Sequence, residues 1–84
     1  MFHREVEAWK RGVILRDAGV RAKKREAWSN AEAMADYQRA YKVAHERVAL
    51  LCEGLDVTGR ECVLDAFEAG IAGQPWGAWK GVEA

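Results

Sequence analysis

The chain has 84 residues, half of them apolar and 31% charged, with thirteen basic side chains balanced by thirteen acidic ones. At this length folding removes roughly 60% of the surface that an extended chain exposes, so a single domain with a thin core is expected across residues 1–84. Two Cys, one Pro and no apolar run of bilayer length exclude a disulfide scaffold, a collagen-like chain and a membrane span, and the even charge balance removes the cationic excess of a dedicated polyanion binder.

The first third sets Phe2, Val6, Trp9, Val13 and Val20 at steps of three and four, with Arg16 interrupting and Lys23 breaking the pattern. That spacing predicts a helix over about 3–27. Gly12 and Gly19 each cost about 1 kcal/mol relative to Ala inside a helix, so two shorter helices split at Gly19 are the alternative, and one rod over 3–53 is a third. Near the end of this helix, Arg21, Lys23, Lys24 and Arg25 form the densest charge in the chain. Four cations can engage phosphates or an acidic protein surface, or simply be solvated beside the negative end of a helix.

The clearest pattern follows. Met34, Tyr37, Tyr41, Ala44, Val48, Leu51 and Leu55 recur at alternating threes and fours, which places a heptad stripe on a helix over 30–53. Ser29 and Glu32 fit a reciprocal capping box at its start, which argues against the rod. Gly54 suits a left-handed stop that folds Leu55 onto Leu50. Met34, Tyr37, Tyr41, Val48 and Leu51 are therefore the expected core or dimer seam. His45 follows a seam position by one residue and is expected to flank it.

Thr58 and Glu61 make a second capping box, with Val57 placed to staple onto Cys62, and Val63, Leu64, Phe67 and Ile71 share one face of a short helix over about 59–72. Gly73 and Pro75 end it. Beyond lies a glycine-rich stretch, residues 73–84, expected to be irregular, which carries Trp76 and Trp79. Two such rings are costly to leave in water: they either cover the gap between the first and third helices or serve as anchors for a partner.

The fold expected is all-α: a hairpin of two long helices, a short third helix and an irregular Trp-containing tail, with a helical-bundle dimer supplying burial that one copy lacks. Residues 1–28 hold eight basic and four acidic side chains and residues 53–84 two basic and six acidic, a polarity suited to antiparallel self-pairing or to partners of opposite charge. His3, His45, Cys52 and Cys62 match no zinc spacing, and neither thiol has a visible base, so no metal, cofactor or nucleophile is assigned. A disulfide between Cys52 and Cys62 needs their Cα atoms within about 7 Å, and inert thiols in a reducing cytoplasm are the preferred expectation.

The function expected is a non-enzymatic protein–protein interaction module, a modulator, inhibitor or adaptor of another protein, of the size of accessory proteins carried by phages and plasmids. Trp76, Trp79, Arg21, Lys23, Lys24 and Arg25 are its candidate binding residues. The alternative is a small nucleic-acid-associated protein that uses the basic cluster at 21–25.

Overall fold

The computed structural model describes residues 3–25 and 30–80. The chain is all-helical, with α1 (His3–Arg25), α2 (Asn30–Leu51), α3 (Val57–Ala72) and a single 3-10 turn (Ala78–Lys80). The proposed capping residue Ser29 lies outside the described residues, as does the link between α1 and α2.

Helix α1 runs unbroken through Gly12 and Gly19, so it is not split at Gly19, and the contacts of Arg4 with the end of α2 exclude a single rod. The Arg4 guanidinium at the start of α1 donates to the carbonyl oxygens of Leu51 at 3.3 Å and Glu53 at 2.9 Å, which ties the first turn of α1 to the last turn of α2 and fixes the pair as antiparallel. A cation on those carbonyls also offsets the negative end of α2, whose own last turn has no basic residue.

On α2 the line facing α1 is Ala33, Tyr37, Ala40, Ala44, Val48 and Leu51, with Ala33, Ala44 and Val48 buried. Its eighteen-residue run in five steps has the 3.6-residue period of a straight helix, whereas the sequence stripe has the 3.5 of a supercoil. Met34, 51% exposed, and Tyr41 consequently sit beside the α1 contact rather than in it, while Tyr37, Val48 and Leu51 pack on the core.

Helix α3 lies against α1 and touches α2 sparsely. The α1–α3 crossing is made by glycines. A Cβ added to Gly12 would run into the Phe67 carbonyl oxygen, and one added to Gly70 into the Trp9 carbonyl oxygen. Ala8 and Ala66, one turn before each glycine, are fully buried, so the two backbones approach as closely as small-residue interfaces allow. Gly12, costly by propensity, is thus the contact point that admits α3. Leu15, Val63 and Phe67 complete a core otherwise built of alanine and Val48.

The ends of α2 and α3 depart from expectation in detail. Helix α2 stops at Leu51, and a turn through Gly54 at φ +78° returns Leu55 to the core beside Leu51 and Cys52, leaving Leu50 exposed. Helix α3 begins two residues early because Asp56, not Thr58, is the cap: its carboxylate accepts from the Gly59 amide at 2.8 Å. A carboxylate caps as well as a hydroxyl and adds favourable charge at the helix start. Val57 falls inside the helix, 67% exposed, and its staple to Cys62 is absent. Gly73 terminates α3 at φ +82°, with its amide on Gly70 and the Gln74 amide on Ala69, the double hydrogen bond of a left-handed glycine stop.

Candidate interaction surfaces

The segment after Gly73 is ordered through Lys80 and folds back along α1. The Trp9 indole N–H donates to the Gln74 carbonyl at 2.9 Å, and the amides of Ala78 and Lys80 donate to Pro75 and Gly77 to close the 3-10 turn. Three indoles then interlock edge to face: Trp9 on Trp76 at 6.0 Å and Trp76 on Trp79 at 5.1 Å between centroids. Lys80 completes the clasp twice over, standing 4.8 Å from the Trp76 ring centre and pairing with Glu5 of α1 at 2.8 Å. The two tail indoles differ in what they touch. Trp79 is half-buried and packs on the core, whereas Trp76 is 39% exposed and held from both sides by other rings.

Trp9 was legible in the sequence only as a core residue of the first helix. Its role as the tail's hydrogen-bond donor and stacking partner depends on a contact 65 residues away along the chain, which no local pattern encodes.

The basic cluster lies elsewhere. Arg21 stands twelve residues beyond Trp9 on α1, about 18 Å of helix rise, so the structure does not merge the cationic and indole sites into one patch. Arg21 and Lys23 are exposed; Lys24 and Arg25 belong to the last turn of α1 and their side chains lie outside the described set. Lys23 flanks one side of the helix and Arg21 the other, near Asp36, so these two cations do not share one face.

A third surface was not singled out by sequence. Helix α3 ends near the middle of α1, and the far half of the α1–α2 hairpin is left uncovered. There an open groove of about 480 Å³ is lined by Leu15, Val20, Met34, Tyr37 and Ile71, with Arg16 and Lys23 as its charged lining residues. The Arg16 guanidinium rests against Gly73, where a Cβ would stand 2.8 Å from Nε, at the carbonyl end of α3. Val20, on the core stripe of α1, is exposed because α3 ends short of it, and Ile71, in the last turn of α3, is exposed at the edge of the same groove.

Along α2 the rings of Tyr37, Tyr41 and His45 follow one another, with His45 4.0 Å from Tyr41 and edge-on to Phe67 at 5.2 Å. His45 thus flanks the interface and bridges α2 to α3. Cys52 and Cys62 are both free thiols, and no group of three or more His, Cys, Asp or Glu among the described residues is arranged to hold a metal ion. No helix among the described residues is long and apolar enough to cross a membrane.

Compared with protein-family models, with curated proteins and with solved structures, the chain has no significant match in any of the three. The surfaces themselves therefore carry the functional argument.

Proposed function

We propose that the chain is a small non-enzymatic protein-binding module that modulates or adapts another protein, with Trp76 as its principal anchor. The observation that carries this reading is the clasp: a large indole, partly exposed, is held in one orientation by Trp9, Trp79 and Lys80. Trp is enriched among the few residues that dominate interface energies, and a ring already immobilised loses less conformational freedom on binding.

The test is site-specific photo-crosslinking from position 74, beside the intact Trp76, in the native host, with Trp76→Ala added as the control for specificity of capture. A discrete protein adduct from position 74, and loss of the same protein from affinity capture by Trp76→Ala with helicity unchanged, is the expected outcome. Retention of every captured protein by a folded Trp76→Ala variant would remove Trp76 from the binding site.

A second reading, association with nucleic acid through the basic end of α1, is favoured by the exposure of Arg21 and Lys23. It predicts capture that is abolished by nuclease and that falls by orders of magnitude from low to moderate salt.

A further inference from the structure

The groove left open beyond the end of α3 has a complement on this same chain. Its charged lining is wholly cationic, Arg16 and Lys23. Helix α3 presents a mainly opposite pattern: Val57, Leu64 and Ile71 recur every seven residues along its exposed side, and Glu61, Asp65 and Glu68 are exposed on the same helix, against one exposed cation, Arg60, near its start. A heptad line of exposed apolar residues flanked by carboxylates is the edge of a helix that packs on something. No ion pair links Arg16, Lys23, Glu61, Asp65 or Glu68 to another described residue, so both halves of the match remain unspent within one copy.

Position and length agree with charge. Ile71 belongs to both features: it closes one end of the groove and is the last member of the α3 line. Groove and ridge are therefore contiguous, which is the condition for a closed two-fold contact in which each patch meets the other on the partner copy. From Arg16 to Lys23 is seven residues of α1, about 10 Å of rise, and from Ile71 back to Leu64 is seven residues of α3, the same rise. With the two Ile71 side chains near the axis, Leu64 of each copy reaches the Val20 and Met34 end of the other's groove.

We propose that two copies of this chain pair about a two-fold axis beside Ile71, each inserting the Glu61–Glu68 edge of α3 into the other's groove, with Glu68 set against Arg16 and Glu61 against Lys23. The contact covers Val20, Met34, Leu64 and Ile71 and supplies the half-hairpin with the helical neighbour it lacks. Leu64 and Ile71 face away from the Trp79 side of α3 while Glu68 borders it, so the contact runs beside the clasp and does not use Trp76.

The experiment is sedimentation equilibrium on the full chain across a concentration series, comparing wild type, Lys23→Glu, Glu61→Lys, and an equimolar mixture of the two variants. Both residues are exposed, and far-UV circular dichroism with a thermal melt checks that each variant keeps the wild-type fold. The expected result is a wild-type dimer, at least tenfold weaker self-association of each variant alone, and a dimer restored in the mixture. The mixture is decisive because one of its two contacts carries the reversed pair and the other the original pair, so both are attractive. A wild type that stays monomeric to about 200 µM overturns the proposal. So do variants that dimerise as well as wild type, or a mixture as monomeric as its components.

Discussion

Gly12 of α1 and Gly70 of α3 meet backbone to backbone: a Cβ on Gly12 would stand 2.9 Å from the Gly70 Cα, and one on Gly70 would stand 3.0 Å from the Gly12 Cα. The crossing is reciprocal, and neither helix can yield without moving its whole axis. Gly12→Ala and Gly70→Ala are each expected to destabilise by about 1–3 kcal/mol, although alanine gains about 1 kcal/mol of helix propensity over glycine. Gly19→Ala is the internal contrast. Its Cβ would meet only the Tyr37 ring, at 3.4 Å, so the propensity gain dominates and the melting temperature rises. Thermal unfolding of the three variants checks the opposite signs.

The two tail indoles are expected to separate under substitution. Trp79→Ala removes a ring packed on the core and should lower stability by about 2–3 kcal/mol, less than the 3–5 of a fully buried aromatic, whereas Trp76→Ala should cost about 1 kcal/mol, the scale of an aromatic pair. Denaturant midpoints measure both, and equal losses would mean that the clasp is one indivisible unit.

Replacing Trp9 by Phe keeps a ring but deletes the indole N–H that holds the Gln74 carbonyl. The expected loss is about 1 kcal/mol of global stability, and faster hydrogen exchange at the Ala78 and Lys80 amides, which close the turn beyond that anchor. Unchanged exchange there would show that the ring contacts alone order the tail.

The start of α3 offers a paired test of the cap. Asp56→Ala should cost about 1 kcal/mol, Asp56→Asn much less, and Thr58→Ala a few tenths, since Thr58 lies within the helix. Urea denaturation distinguishes these from the reverse order that a Thr58 cap would give.

Helix number, the presence of two indoles in the tail and the glycine stop at Gly73 were legible because each has a local signature: a three-and-four period, a ring type, a residue that tolerates positive φ. Interfaces were less so. The seam on α2 shifted from Met34 and Tyr41 toward Ala33 and Ala40 because alanines, weak on any hydropathy scale, permit the closest helix approach. Gly12 reads as a defect in one helix and as a necessity only once Gly70 is opposite it. The open groove has no sequence signal at all, since Val20 looks like core until it is known where α3 ends along α1, and Ile71 until it is known what faces the last turn of α3. Asp56 was overlooked beside Thr58 for a different reason: two adequate caps stand two residues apart, and the backbone selects between them.

Because α2 and α3 lean on α1 while barely meeting each other, α1 acts as the axle of the molecule. A small turn of that axle about its own axis alters the hairpin and the glycine crossing together, and carries Trp9, and with it the clasp, along the same rotation.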